Sequence, residues 1–245
     1  MAKINDNKLL SGAVGNLVFR TLEGQQIVQA APCKIRQSKR TKQSGSEFRQ
    51  CSKWGKQLRW LLHDFLARQT DTYMHRRLTT ALYQTILSNT QLLVGERTPF
   101  NCDMKGMEGF EWNTHSPMQA YFQAPLQTTM LDSGHVEIAI PSFKPNEAIK
   151  FPKRIHEVEL LLYVFAVQDL QSYTLLSKNI FVAPFHNNHT PTLPQTFQTE
   201  TPMPAGAWVL ALAKLQFYTH NAFVGKKYEN TAQLSPTQIV FSGRG

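Results

Sequence analysis

Residues 158–167 read VELLLYVFAV, and every side chain in 160–167 belongs to the hydrophobic set. A strand with one face in water alternates apolar and polar residues, whereas a strand covered on both faces is a continuous apolar run. The run is also far shorter than the roughly 18 apolar residues of a membrane-spanning helix. This stretch therefore predicts the central strand of a sheet that is covered on both sides.

Further β-prone runs lie on either side of this strand, separated by turn residues, at 120–125, 135–140, 180–184, 208–218 and 237–242. In the second of these, Val136, Ile138 and Ile140 alternate with less apolar neighbours, as in a strand with one wet face. Six strands within about 125 residues are typical of a β-sandwich of immunoglobulin-like size. The three cysteines all precede residue 118, so a disulfide-bonded immunoglobulin domain is not predicted.

The N-terminal 32 residues predict a short arm followed by a β-hairpin. The β-prone runs 17–20 and 26–30 are joined by residues 21–24, which end in Gly24. Glycine readily adopts the positive φ angles that tight turns between antiparallel strands require. Gly12 and Gly15 precede the hairpin, and no GK[ST] sequence follows them. They therefore predict a turn or a close backbone approach rather than a phosphate-binding loop.

Two helices are predicted after the hairpin. Ser46 is a candidate N-cap, and apolar positions then recur three and four residues apart, which predicts a helix from about Ser46 to Arg68. A second helix, capped by Asp71 or Thr72, is predicted for 73–92. Two helices joined by a few polar residues indicate an antiparallel αα-hairpin. A DNA-reading helix-turn-helix is an alternative, but the first helix is long for that motif.

The predicted fold is therefore α+β, with an N-terminal β-hairpin and an αα-hairpin followed by a C-terminal immunoglobulin-like β-sandwich. The predicted domains are the arm and hairpin (1–32), a basic connector with the helical hairpin (33–99), a linker (100–117) and the sandwich (118–245).

The net charge of +9 is concentrated in the N-terminal part of the chain. Residues 1–99 hold 16 lysines and arginines against 6 acidic residues, whereas residues 100–245 hold 10 against 11. Residues 33–60 contain nine basic side chains and a single acidic one, Glu47. Such a concentration attracts polyanions or an acidic protein surface. A solvated loop followed by the wet face of an amphipathic helix produces the same pattern, and the sequence leaves both interpretations open.

No motif for catalysis or cofactor binding occurs in the sequence, which has no Walker loop, dinucleotide fingerprint, HExxH, EF-hand loop or GxSxG elbow. His186 and His189 are three residues apart, but no nearby carboxylate or thiolate completes a metal site. Glu157 and Glu159 share one face of the central strand and are interpreted as its solvated start. We therefore predict a protein that is not an enzyme and that uses neither a metal nor a cofactor.

The N-terminal pattern consists of Gly12, Gly15, Val18, Arg20, Gly24, Ile27, Val28, Pro32, a basic stretch and Phe48. It resembles the opening of a family of uncharacterised proteins found in Bacteroidetes genomes. The resemblance covers residues 1–65, and the remainder is similar only in outline. Because the function of that family is unknown, the resemblance implies a fold and a bacterial or phage-like origin, and it implies no active site.

The first functional hypothesis is a structural protein that self-associates through its N-terminal arm and hairpin into an oligomer or filament. A two-stranded hairpin is marginally stable alone, and a neighbouring subunit can supply a supporting sheet edge by β-augmentation. Heterologous pairing of this kind propagates into rings or fibres. The residues predicted to self-associate are Leu17, Val18, Phe19, Arg20, Ile27 and Val28.

The alternative hypothesis is a nucleic-acid-binding protein that uses the basic segment 34–59. Such binding depends steeply on salt because cations released from the phosphates drive it. The predicted polyanion-binding residues are Lys34, Arg36, Lys39, Arg40, Lys42, Arg49, Lys53, Lys56 and Arg59. A third hypothesis is a carbohydrate-binding module that presents Trp112 or Trp208 to a sugar.

The N-terminus, MAKINDNKLLSG, has no apolar core of the kind that marks a secretory signal. We therefore expect a cytoplasmic protein, while a virion-like or exported assembly stays open as an alternative. The expected partners are further copies of the chain, with nucleic acid or an acidic protein surface as the alternative.

Overall fold

The computed structural model describes residues 2–5, 8–31, 37–168, 175–221, 223 and 225–245. The chain divides into two compact units, Met1–Lys42 and Gln43–Gly245. Both helices and strands are present, and all the strand pairs within the described ranges are antiparallel. This agrees with the predicted mixture of helices and antiparallel strands.

The first unit contains one antiparallel sheet with the strand order β1-β2-β3-β4. Its strands are β1 (Lys3–Ile4), β2 (Leu10–Val14), β3 (Leu17–Leu22) and β4 (Gln25–Ala30). A two-residue turn joins β3 to β4, and both of its residues have positive φ, 50° at Glu23 and 81° at Gly24. That geometry matches the right-handed twist of paired strands.

The first helix, α1 (Lys39–Leu61), begins well before the predicted N-cap Ser46. The hydroxyl oxygen of Ser38 accepts a hydrogen bond from the Thr41 N–H at 3.1 Å, and the Ser38 carbonyl accepts one from the Lys42 N–H at 3.1 Å. Ser38 therefore caps the helix. The prediction of Ser46 as the N-cap is wrong, because Gly45 lies inside α1 although glycine is a weak helix former.

The remaining helices are α2 (His63–Leu66), α3 (Met74–Ser88), a 3-10 turn (Lys105–Met107), α4 (Met118–Tyr121) and α5 (Pro145–Ala148). The predicted first helix is interrupted after α1, and Ala67 ends α2 in the left-handed conformation, with φ 50°. The second predicted helix ends at Ser88, where the Asn89 side-chain amide donates to the Thr85 carbonyl at 2.9 Å. A strand predicted at 120–125 is wrong, because α4 occupies residues 120 and 121 and Phe122 forms only an isolated bridge with Ile149.

The remaining strands are β5 (Gln127–Met130), β6 (Val136–Ile140), β7 (Glu157–Val167), β8 (Ser177–His186), β9 (Gln195–Gln198), β10 (Trp208–Asn221), β11 (Gly225–Tyr228) and β12 (Thr237–Arg244). They form a five-stranded sheet with the order β11-β10-β7-β8, in which β12 also pairs with β10, and a three-stranded sheet with the order β5-β6-β9. Because β7 pairs with β8 on one side and β10 on the other, the prediction of a central strand is confirmed.

The five-stranded sheet is covered on both faces by separate apolar cores. Val158, Leu160 and Leu162 of β7 pack into a core shared with the alternate β6 residues, Val136, Ile138 and Ile140. Two sheets that share a core in this way are typical of a β-sandwich. The alternate β7 residues, such as Phe165, pack into a second core with the apolar stripes of α1 and α3. The continuous apolar run in β7 therefore results from burial on both faces.

The segment 100–117, predicted as a linker, contributes to the second of these cores. Its buried members are Cys102, Met104, Met107 and Trp112. Glu111 also forms an isolated antiparallel bridge with Gln238 of β12. In the part of the chain that the structure describes, no helix has the length and hydropathy needed to cross a lipid bilayer.

Candidate functional site

The sheet of the first unit has an uncovered apolar face. Cross-strand partners in an antiparallel sheet share a face, as do residues two apart in a strand. The observed register therefore places six side chains on one face, hereafter the apolar face: Ile4, Leu10, Val14, Leu17, Phe19 and Val28. Their exposure is high for such residues, at 72% for Ile4, 55% for Val14, 45% for Leu17 and 49% for Val28.

The opposite face of this sheet is mixed, with Lys3, Arg20, Gln25 and Gln29 at exposed positions beside Val18, Leu22 and Ile27. Among residues 2–5, 8–31 and 37–42, no side chain is buried. A sheet becomes stable by burying its apolar face against another layer. This sheet has apolar side chains on both faces, most of them on the apolar face, and its own unit supplies no such layer within the described residues.

The edge of this sheet is also open along β4. In the described chain β4 pairs with β3 alone, and the sequence QQIVQA contains neither a charge nor a proline to guard the edge. The side chain of Gln26 holds β4 in place across the sheet, because its amide donates to the Leu10 carbonyl at 2.9 Å and accepts from the Leu10 N–H at 2.7 Å.

The structure divides the residues predicted to self-associate between two strands. Leu17, Val18, Phe19 and Arg20 lie on β3, whose backbone is paired on both sides. Ile27 and Val28 lie on β4, so only these two sit on a strand with a free edge. Leu17, Phe19 and Val28 share the apolar face, whereas Val18, Arg20 and Ile27 share the opposite face.

The basic residues of α1 include an exposed row without acidic partners. Arg49, Lys53 and Lys56 are exposed at helical spacing, and within the described residues none of them forms an ion pair with a carboxylate. Arg59 is half-buried, and its Nε donates to the Gly55 carbonyl at 3.2 Å. The first unit holds Lys39, Arg40 and Lys42, which are exposed. The predicted Lys34 and Arg36 lie outside the described residues.

A groove of 450 Å³ lies beside the end of this basic row. Lys56, Arg59 and Arg68 line it together with apolar side chains that include Leu66 and Met74. Arg68 stands in the left-handed conformation, with φ 58°, which a non-glycine residue adopts only when its surroundings hold it there. The groove offers three guanidinium or ammonium groups next to an apolar lining.

Glu157 and Glu159 are not the solvated start of a strand, because β11 covers them. Lys226 donates to a carboxylate oxygen of each, at 2.5 Å in both cases, and the imidazole Nε2 of His220 lies 2.6 Å from the other Glu157 oxygen. Lys226 also stands 4.0 Å from the ring centroid of Tyr218. The hydrogen bond from Lys226 is the main reason that the pKa of Glu157 lies below its usual value. The two carboxylates therefore form hydrogen bonds within this cluster, to Lys226 and His220.

A second polar network, which sequence analysis missed, surrounds Glu111. One of its oxygens accepts hydrogen bonds from the Met118 N–H at 3.0 Å and from the Gln238 amide at 2.9 Å. Arg77 donates to the Glu111 carbonyl at 2.8 Å and to the carboxylate of Asp71. Burial raises the pKa of Glu111 to about 7. Only the tertiary fold brings these residues together, so no local sequence signal marks them.

The two described cysteines, Cys51 and Cys102, are buried, and one of the histidines considered for a metal site is held by a neighbouring amide. The Nδ1 atom of His189 accepts a hydrogen bond from the Asn146 amide at 3.0 Å. Within the described ranges, no three His, Cys, Asp or Glu side chains are positioned to hold a metal ion. Burial raises the pKa of the Cys51 thiol to about 12 and raises that of Cys102 as well. Neither thiol is therefore activated as a nucleophile.

The two tryptophans considered for sugar binding are fully buried. Trp112 packs edge-on against Phe110 at 5.4 Å between ring centroids. The indole N–H of Trp208 donates to the Ser242 hydroxyl at 3.0 Å. Both rings belong to the core between the helices and the five-stranded sheet, so neither can stack on a carbohydrate.

Comparisons of this chain with protein-family models, with curated proteins and with solved structures found no match.

Proposed function

We propose that this chain is a non-enzymatic structural or assembly protein that self-associates through its N-terminal sheet. The observation that carries the proposal is the four-stranded sheet without a buried residue in its described positions. Its apolar face and its open β4 edge are the two features that a neighbouring copy can satisfy. The sheet offers a surface of the same chemistry in every copy, which favours a homo-oligomer.

The magnitude of the uncovered surface supports this role. Fully burying an aliphatic side chain of this size contributes about 1.5–3 kcal/mol. With Ile4, Val14, Leu17 and Val28 each about half exposed or more, covering the apolar face contributes on the order of 4–5 kcal/mol. Backbone pairing along β4 adds to that. Both terms favour association, and the entropic cost of binding opposes them.

The test is sedimentation velocity of the nuclease-treated full chain over a broad concentration series, combined with negative-stain microscopy. The sedimentation coefficient should rise with concentration, and the rise should persist at high salt because apolar contacts are not screened. A chain that stays monomeric at every concentration overturns the proposal.

The proposal extends to the finer architecture. The shared core between the two C-terminal sheets supports an immunoglobulin-like sandwich, and α1 followed by α3 supports a helical hairpin. The N-terminal resemblance to the uncharacterised Bacteroidetes family supports a bacterial or phage-like assembly component. In such a protein the N-terminal sheet binds further copies of the chain, and the C-terminal sandwich is the part of each copy that is held in the assembly.

A second candidate function is binding of nucleic acid by α1. The row of Arg49, Lys53 and Lys56 supports it, because these cations are exposed and have no carboxylate partner among the described residues. Each phosphate contact adds about 0.9 to the slope of log affinity against log salt.

Fluorescence anisotropy with a labelled oligonucleotide tests this second function. Reversal of all three cations to Glu should weaken binding and reduce the salt slope by about 3. A matched control reverses three exposed cations elsewhere, Lys150, Lys153 and Arg154, which changes the net charge equally. Equal losses in both variants would show that only the net charge matters, and absence of binding by the wild type would remove this function.

A further inference from the structure

The second unit carries an open sheet edge of its own on β8. This strand pairs with β7 and, in the described part of the chain, with no other strand. Its residues alternate, with Phe181, Ala183 and Phe185 turned into the core of the sandwich. The intervening side chains include Ile180 and Val182, which are 58% and 47% exposed. Lys178 and Pro184 lie near the two ends of this edge, and the exposed branched aliphatic residues between them form a template for pairing with another strand.

An apolar groove of 640 Å³ opens beside this edge. Leu61 and Phe65 line it from the helical side, and Tyr163 and Ile180 line it from the sheet. The rim holds one anion, Asp64, and one cation, Lys178, so the groove has no net charge. It therefore differs from the basic groove at Arg68 and offers no attraction to a polyanion.

We propose that β4 of one copy pairs with β8 of the next copy, so that the chains assemble head to tail. This inference rests on the proposed function and names the surface that the N-terminal sheet binds. The two edges match in length and in apolar pattern, and the uncharged strand β4 meets a single charged side chain, Lys178, on β8.

The lengths match because a proline limits the usable part of β8. Pro184 has no N–H, so continuous pairing is available to the seven residues from Ser177 to Ala183. The strand β4 has six residues and lacks proline. A six-residue strand therefore fits on the free part of β8.

The side-chain patterns also match when the two sheets become continuous. Residues two apart on a strand share a face, so Val28 of β4 can lie on the same side as Ile180 and Val182 of β8. The apolar face then continues the uncovered apolar surface beside the groove. The apolar face contains no charged side chain, which suits a groove without net charge.

The arrangement is heterologous because the two edges belong to different surfaces of the chain. Each bound copy leaves its own β8 free for a further copy, so association continues into a ring or a filament. Direct pairing of β4 with β4 would instead be two-fold symmetric and would stop at a dimer.

A mixing experiment with two full-length variants tests this. Val28→Asp damages the donor edge and leaves β8 intact, whereas Ile180→Asp damages the acceptor edge and leaves β4 intact. Each variant alone should associate about a hundredfold more weakly than the wild type. An equimolar mixture should form a 1:1 dimer that does not grow, because one intact β4 and one intact β8 remain. Leu193→Asp, at an 83% exposed position outside the strands, is the control and should assemble as the wild type does.

The outcomes separate this inference from the function on which it rests. If the wild type and Ile180→Asp assemble equally well, self-association stands and the pairing of β4 with β8 is wrong. If the mixture shows no dimer, the pairing is wrong as well. If the wild type itself is monomeric, the proposed function fails. Formation of the mixed dimer also shows that both variants are folded.

Discussion

Replacing Val28 by Asp should weaken self-association strongly, because Val28 lies on both the apolar face and the open strand. The side chain is 49% exposed, so its remaining burial in an assembly contributes about 1 kcal/mol. Placing an unpaired carboxylate in the same contact costs a further 1–2 kcal/mol or so after partial solvation. The combined loss of about 2–3 kcal/mol corresponds to a dissociation constant raised on the order of a hundredfold.

The matched control is Gln29→Asp, which places the same charge on the adjacent residue of the same strand, on the face opposite the apolar face. This change should alter the dissociation constant by less than about threefold. Sedimentation equilibrium at several loading concentrations gives both constants. Equal dissociation constants for the two variants would refute the assignment of the apolar face as the binding surface.

Three further predictions concern the folded state of the second unit. Because burial raises the pKa of Glu111 to about 7 from 4.5, its carboxyl stays protonated in the folded chain after it has ionised in the unfolded chain. Stability should therefore fall by about 1–3 kcal/mol as pH rises from 4.5 to 7, and Glu111→Gln should abolish this fall in urea titrations. Burial lowers the pKa of Lys214 to about 8 from 10.5, so stability should rise between these pH values. Lys214→Met should abolish this rise, and a rise that persists in the variant would contradict the assignment. Gly55→Ala should stabilise α1 by about 0.5–1 kcal/mol in denaturant titrations, because a Cβ there meets its neighbours at 3.5–3.6 Å. In contrast, Gly106→Ala should destabilise the protein, since its Cβ would lie 2.8 Å from the Thr85 hydroxyl, and equal effects would contradict the packing argument.

Sequence analysis located the strands in which the pattern of apolar and polar residues follows their burial in the fold. The run in β7 and the alternation in β6 reflect cores on two faces and on one face, so their positions could be predicted within a residue or two. The short strands β5 (QTTM) and β9 (QTFQ) were missed because their side chains are mostly polar. Their pairing depends on β6 between them, which is a tertiary property.

The sequence predicts only part of the candidate site in the N-terminal sheet, because strand pairing there also depends on the tertiary fold. The local sequence pattern locates the β-prone runs at 17–20 and 26–30. A two-stranded hairpin built from them is predicted to need a further strand or layer for stability. It does not show that β2 pairs with the other side of β3. The sequence of β2, LSGAV, contains Ser, Gly and Ala, which do not mark a strand. The open edge of β8 was also missed, since the sequence of a strand does not reveal on which side its neighbours lie.

Concentration-dependent hydrogen exchange of β4 tests most directly whether another copy completes the N-terminal sheet. The amides of Gln25–Ala30 that point away from β3 have no partner in the described single chain, so they should exchange rapidly in dilute protein. Their protection should increase as the protein is concentrated, while the amides of β7 stay protected throughout. Protection of β4 that is the same at every concentration would contradict the central claim.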